Sequence, residues 1–130
     1  MPRMTFEERE KIIDLYYSKC KELMRKKGPG YTKEGLANDN FWNGAEKYGI
    51  TPLKALGVHM SKHTNSIELY IKKDGEKIVD PEPIEQRIID HINYNFILIS
   101  ILIELGKIQH PGRGYISEPQ TGKERPVEAA

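Results

Sequence analysis

The feature that most constrains this sequence is its longest apolar stretch, residues 92–105, where apolar side chains lie on almost every side of a helix. Pro81-Glu82-Pro83 precedes this stretch and Gly106 follows it, so the pattern predicts a helix over 84–105. It is too short and too interrupted by polar residues for a membrane span, which needs about 20 apolar residues. A helix that is apolar all round is buried or is shared with a partner subunit. We therefore expect the central helix of a bundle.

Local signals upstream predict three more helices. Thr5 and Glu8 have the spacing of a capping box at the start of a first helix. A second, shorter helix is expected within 34–48, with Gly49 as its C-terminal cap. Thr51-Pro52 favours the start of a third helix. No stretch of useful length alternates with period two, so the predicted fold is all-α, a four-helix, bundle-like domain.

The composition changes at Gly106, and this change sets the predicted domain boundary. Residues 106–130 are rich in Pro and Gly and poor in large apolar side chains. Such a segment cannot bury enough surface to offset the entropy of ordering. We expect a helical domain over 1–105 and a mobile C-terminal tail, with a tail that docks on a partner subunit as the alternative.

The charge balance excludes some classes of partner. Twenty Lys and Arg face nineteen Asp and Glu among 130 residues, a formal net charge of +1. A protein that coats nucleic acid needs a positive excess, so that role is not expected. The single cysteine, Cys20, rules out an internal disulfide, and its place on an apolar helix face predicts a core residue. No basic-then-apolar leader opens the sequence, and we expect a cytoplasmic protein.

Polar residues on the core faces of the last two helices are the informative exceptions. Asp90 and Asn93 share a face of the last helix, and His63 lies on the apolar face of the third. A buried carboxylate or amide is costly unless it is paired, so these residues predict either a structural network or a site. We expect a hydrogen bond between His63 and Asp90. His59 is one turn from His63, but an isolated His pair at this spacing is a weak indication of a metal site.

Several short motifs, taken in order, resemble a known family. They are Lys27-Gly28-Pro29-Gly30-Tyr31, Asn40-Phe41, Tyr48-Gly49-Ile50, Lys62-His63, Glu82-Pro83-Ile84 and the segment from Arg87 to Tyr94. Together they resemble the nucleotide-modification-associated domain 1 family, small helical proteins common in bacteriophage genomes. The resemblance spans about residues 26–105, and its most specific part is a glutamate followed by Asp-x-x-Asn-Tyr. It implies an all-helical domain that is linked by genome context to nucleotide or base modification.

The residue types in these motifs suit a nucleotide site. The candidate ligand-binding residues are Tyr31, Asn40, Trp42, Lys62, Glu82, Arg87, Asn93 and Tyr94. Lysine and arginine bind phosphate oxygens, asparagines read base edges, and tryptophan or tyrosine stacks on a base. The candidate catalytic residues are His63, as a general base, and Asp90, which would orient it.

Two alternatives remain beside a nucleotide-binding protein of phage type that modifies or sequesters its ligand. One is a helical interaction protein without small-molecule chemistry, which acts on host or phage proteins. The other is a nucleotide pyrophosphohydrolase similar to MazG-like enzymes, in which Asp90 would help to bind magnesium. No metal ligand is assigned, and Arg87 stands where a MazG-like helix has a glutamate. We also expect a homo-oligomer formed through the last helix, in the cytoplasm of an infected or lysogenic bacterium.

Overall fold

The computed structural model of the chain describes residues 2–28 and 35–112. These residues form four helices and no strand, which confirms the predicted all-α fold. The helices are α1 (Phe6–Lys27), α2 (Asp39–Tyr48), α3 (Pro52–Lys72) and α4 (Ile84–Glu104). None of these four helices is both long and apolar enough to cross a membrane. Tyr31 and residues 113–130, which include most of the predicted tail, lie outside the described residues.

The helix ends lie where local chemistry predicts them. At the start of α1, the Glu8 backbone N–H donates to Thr5 Oγ1 (3.1 Å) and the Thr5 N–H donates to Glu8 Oε1 (2.8 Å), a complete capping box. Thr51 Oγ1 accepts from the Lys54 N–H at 3.1 Å at the start of α3. Gly49 ends α2 with a left-handed φ of 66°, a conformation that glycine adopts without strain.

The core lies where α2, α3 and α4 meet. Its buried apolar residues are Phe41, Ala55, Leu56 and Ile101. Among the described helices, α4 packs against both α3 and α1, while α2 packs against α3. The apolar last helix is therefore the central one, as its composition predicts. Cys20 is buried on α1, which confirms that it is a core residue.

The loop between α3 and α4 brings charged residues to the start of α4. Gly75 has a φ of 75°, and a Cβ there would lie 2.9 Å from the Tyr70 ring, so the turn requires glycine. Lys77, Ile78 and Val79 in this loop form no strand. The loop instead leads to Asp80 and Glu82, which lie against the first turns of α4.

Candidate functional site

A buried guanidinium marks the start of α4. Arg87 is 4% exposed, which is rare for a charged residue without a partner. Its Nε donates to Asp80 Oδ2 (3.2 Å) and its Nη2 donates to Asp80 Oδ1 (2.8 Å), a bidentate ion pair. The Glu82 backbone N–H also donates to Asp80 Oδ1 at 2.9 Å. Arg87 and this N–H hold the pKa of the Asp80 carboxyl at about 2, so Asp80 is charged and neutralises Arg87.

The third nitrogen of this guanidinium faces His63 and Glu82. Arg87 Nη1 lies 3.4 Å from His63 Nδ1 and 3.5 Å from Glu82 Oε1. Because a guanidinium can only donate, His63 Nδ1 accepts and the imidazole proton resides on Nε2. Burial lowers the pKa of His63, against the opposing effect of the Asp90 carboxylate, so the ring is neutral at pH 7. Glu82 Oε1 is buried and has no hydrogen-bond partner among the described residues.

Asp90 lies beside this group, but its hydrogen bond differs from the expected one. Asp90 Oδ1 accepts from Gln86 Nε2 at 3.0 Å, one turn earlier on α4. The predicted hydrogen bond between His63 and Asp90 is wrong, because His63 pairs with Arg87 instead. The physical reason is that Gln86, one turn earlier on α4, donates to Asp90 within the same helix, while His63 Nδ1 faces Arg87.

His63, Glu82 and Asp90 nevertheless converge. Each offers one potential metal-ligating atom, and the three atoms lie within 4.8 Å of one another. Among the described residues around them, carboxylates outnumber cations: Asp80, Glu82 and Asp90 lie near Arg87 and the exposed Lys62. Since Asp80 already neutralises Arg87, two carboxylates remain beside a neutral imidazole. We call His63, Glu82 and Asp90 the acidic triad.

Two other predicted site residues border the acidic triad. The Tyr94 ring lies 5.5 Å from the His63 ring, centroid to centroid, and is tilted by 34°. Lys62 precedes His63 on α3, is exposed, and contributes to the lowered pKa of His63. The structure thus brings together six of the predicted site residues: Lys62, His63, Glu82, Arg87, Asp90 and Tyr94.

Asn93, predicted to bind a ligand, is buried in the contact between α4 and α1. It is buried, and its Nδ2 donates to the backbone oxygen of Cys20 at 3.1 Å, which ties α4 to α1. Its Oδ1 is buried without a hydrogen-bond partner among the described residues. Burial also raises the pKa of the Cys20 thiol, so this cysteine is a poor nucleophile.

Trp42 lies at the other end of α4. Its Nε1 donates to Glu104 Oε1 at 2.8 Å, and Asn38 Nδ2 donates to the same oxygen at 3.0 Å. Residue 104 follows Asp90 by fourteen positions, about 21 Å along the helix axis. The Trp42 indole is thus tied to the end of α4 opposite Asp90, and its stacking on a ligand held at His63 and Asp90 stays a prediction. Asn40 lies two residues from Trp42 in the first turn of α2 and is half-buried.

Three residues of these networks escaped the sequence analysis. Asp80 belongs to a polar loop without periodicity, although Asp80-Pro81 ahead of a helix start is a familiar turn signal. Asn38 and Glu104 are far apart in the sequence, and only packing of α2 against the end of α4 joins them. Glu104 was visible as a charge in an apolar stretch, which is a signal that it has a partner.

Comparison of the chain with known proteins found no relative. The chain matches no protein-family model, no curated protein and no solved structure. The fold and the site define a four-helix protein with a histidine and two carboxylates gathered beside a buried ion pair. The resemblance to the nucleotide-modification-associated domain 1 family stays a prediction.

Proposed function

We propose that this protein binds a small nucleotide through a divalent cation held by His63, Glu82 and Asp90. The observation that carries the proposal is the convergence of their three potential ligand atoms within 4.8 Å. The local charge supports it, because the short bidentate pair with Asp80 takes up the charge of Arg87, and Glu82 and Asp90 then have only the long Arg87–Glu82 contact and the exposed Lys62 near them. A divalent ion would supply the positive charge that these two carboxylates lack.

Arg87 can accommodate a cation at this place. Its contacts through Nη1, 3.4 Å to His63 and 3.5 Å to Glu82, are long and therefore weak. Its two bonds to Asp80 involve Nε and Nη2 of the same planar group. For an ion to replace the Nη1 contacts, the guanidinium and Asp80 therefore shift together, with the bidentate pair kept.

The donor set indicates which ions fit. One imidazole nitrogen with two carboxylate oxygens suits Mn²⁺ or Zn²⁺. Mg²⁺ prefers oxygen ligands and keeps several waters, so it should bind more weakly here. Because metal ligands must be deprotonated, binding should weaken as the pH falls.

The nucleotide part of the proposal rests on charge and on the family resemblance. The acidic triad by itself repels phosphate, so a phosphate can bind only together with the cation. Lys62 is exposed beside His63 and supplies a further positive charge for phosphate oxygens. We assign the protein to the bacterial cytoplasm during phage infection, where it binds a free nucleotide and modifies or sequesters it.

A thermal unfolding series tests this proposal. We expect Mn²⁺ to raise the melting temperature by several degrees, because a ligand that binds the folded state stabilises it. A nucleoside triphosphate, a monophosphate or a cyclic dinucleotide should raise it further when Mn²⁺ is present, and not when Mn²⁺ is absent. Asp90→Asn should remove both effects, whereas the control Glu46→Gln, an exposed residue of α2, should retain them.

Two outcomes of the series separate the parts of the proposal. No shift with Mn²⁺ or Zn²⁺ at millimolar concentration would contradict the cation site. A shift with the ion but with none of the nucleotides would contradict the ligand class alone. Mass spectrometry of the nucleotide after incubation distinguishes sequestration, which returns it intact, from turnover.

A second candidate function is a helical interaction protein without small-molecule chemistry. The observation that favours it is the completeness of the Arg87–Asp80 pair, which has the character of a structural network. In this case Asp90→Ala lowers the free energy of unfolding and changes no small-molecule affinity. A variant as stable as the parent would contradict this candidate.

A further inference from the structure

The first half of α1 is a helix that the other described residues do not cover. Every residue from 2 to 15 is exposed, and the first buried residue of α1 is Cys20. Phe6 is 83% exposed and Ile13 is 59% exposed. We call residues 6–15 the α1 arm. Its ten residues correspond to about 15 Å of helix, and isolated helices of this length are only marginally stable in water.

The apolar face of the α1 arm continues the face that α1 already buries. Phe6, Ile13, Tyr17 and Cys20 are spaced by seven, four and three residues, so they lie along one side of the helix. In the second half of α1 this side packs against α4, where Tyr17 contacts the Phe96 ring edge-on. Among the described residues, the arm therefore continues an established helix-packing surface beyond the part that α4 covers, with only Arg9 of the same helix recorded against the Phe6 ring.

α4 also has an apolar face that the other described residues leave exposed. Its buried residues point toward α3 at Ile101 and toward α1 at Asn93. On a third side, Ile88, Phe96 and Ile99 are exposed, with Ile99 46% exposed. We call Ile88, Phe96 and Ile99 the open α4 face. It lies beside the second half of α1, since Phe96 touches Tyr17.

The two halves of α1 differ in charge, and this difference indicates what kind of partner could cover these surfaces. The α1 arm contains four acidic residues, Glu7, Glu8, Glu10 and Asp14, and two basic ones, Arg9 and Lys11. Residues 16–27 contain five basic residues, Lys19, Lys21, Arg25, Lys26 and Lys27, and one acidic one, Glu22. The two halves of α1 thus carry opposite net charge. Two copies of α1 that pack antiparallel place each acidic arm along the basic half of the other copy.

We propose that two copies of this chain form a two-fold symmetric dimer in which each α1 arm packs on the open α4 face of the other copy. The antiparallel arrangement sets the acidic arm of each copy along the basic half of the other α1 and directs its apolar side toward the open α4 face next to that half. A two-fold interface is self-complementary and closes, so the same contact forms twice. The proposal does not depend on the cation site, because none of its residues belongs to the acidic triad.

Sedimentation of the full chain tests the dimer. We expect twice the chain mass of 15.0 kDa at micromolar concentration. Ile13→Glu in the arm and Ile99→Glu on the open α4 face should each raise the dimer dissociation constant by more than about 100-fold, because each buries a charge twice per dimer. Ile71→Glu is the matched control, since Ile71 is an exposed isoleucine of α3 and should leave the dimer intact.

Circular dichroism of each variant confirms that it is folded, and Ile13→Glu removes no buried contact within one copy. A further pair of variants tests the antiparallel arrangement itself: Glu10→Lys or Lys21→Glu alone weakens the dimer, and the two together restore it. If the parent chain is still a monomer at a concentration of about 100 micromolar, the proposal is overturned. A dimer that both Ile13→Glu and Ile99→Glu leave unchanged would overturn it equally.

Discussion

At the scale of single residues, Arg87 organises the site. Its burial would be costly if it had no partner, and the bidentate bond to Asp80 offsets that cost. The same bond fixes the loop that carries Glu82, so the acidic triad depends on an ion pair that is not part of it. Removing Asp80 or Arg87 should therefore disturb both stability and ion binding.

The pKa of Asp80 makes this ion pair visible as a pH dependence of stability. In the folded protein the pKa is about 2, below its ordinary value of 3.8. A depressed pKa contributes stability that is present above the ordinary value and is lost as the pH falls toward 2. Between pH 6 and pH 3, measured by urea unfolding, Asp80→Asn should therefore lose less free energy of unfolding than the parent. The control Asp74→Asn, in the same loop, should follow the parent, and equal losses in Asp80→Asn and the parent would contradict this account.

At the scale of elements, α3 has one glycine inside it and another in the turn that follows it, and only the second adopts a conformation that favours glycine. Gly75 follows α3 with a φ of 75° and lies so close to Tyr70 that a Cβ would be 2.9 Å from its ring. Gly57 lies inside α3, is exposed, and would have nothing within 4 Å of an added Cβ.

Alanine at these two positions should change stability in opposite directions. Gly75→Ala should lower the free energy of unfolding by about 1 kcal/mol or more, because of strain and the Tyr70 contact. Gly57→Ala should raise it by about 0.5–1 kcal/mol, because alanine favours the helix. Urea unfolding of the two variants measures both effects. The same sign for the two substitutions would show that the turn after α3 is not built as described.

The sequence predicts elements better than it predicts contacts between them. Thr5 with Glu8, Thr51 with Pro52, and Gly49 determine helix ends through neighbours in the chain, so a local pattern is enough. The apolar character of residues 92–105 likewise determines that this helix is central. The position of Trp42 was not predictable, because helix order does not say which end of α4 receives α2.

The residues of the site were largely predictable from the sequence, but the contacts between them were not. His63, Asp90 and Arg87 stood out as polar residues on apolar faces, and the structure brings them together. Periodicity could not show which of Arg87 and Asp90 reaches the His63 ring, since both extend from the same part of α4. Nor could it show Asp80, whose contact with Arg87 depends on the path of an irregular loop.

At the scale of the whole molecule, the two ends of α4 do different work. The end near Asp90 gathers the acidic triad, while the end near Glu104 holds α2 through Asn38 and Trp42. About 21 Å of helix separates them. A bound ion should therefore affect one end of the molecule and leave the other end unchanged.

Paramagnetic broadening by Mn²⁺ in NMR spectra tests the central claim most directly, because it reports where the ion binds. Trp42 is the single tryptophan, so its indole N–H gives one identifiable resonance near Glu104. We predict that substoichiometric Mn²⁺ strongly broadens the resonances of His63, Asp90 and Tyr94 and broadens the Trp42 indole least. Asp90→Asn should abolish the broadening around His63. Broadening that is absent around His63, or as strong at Trp42 as at His63, would contradict the cation site.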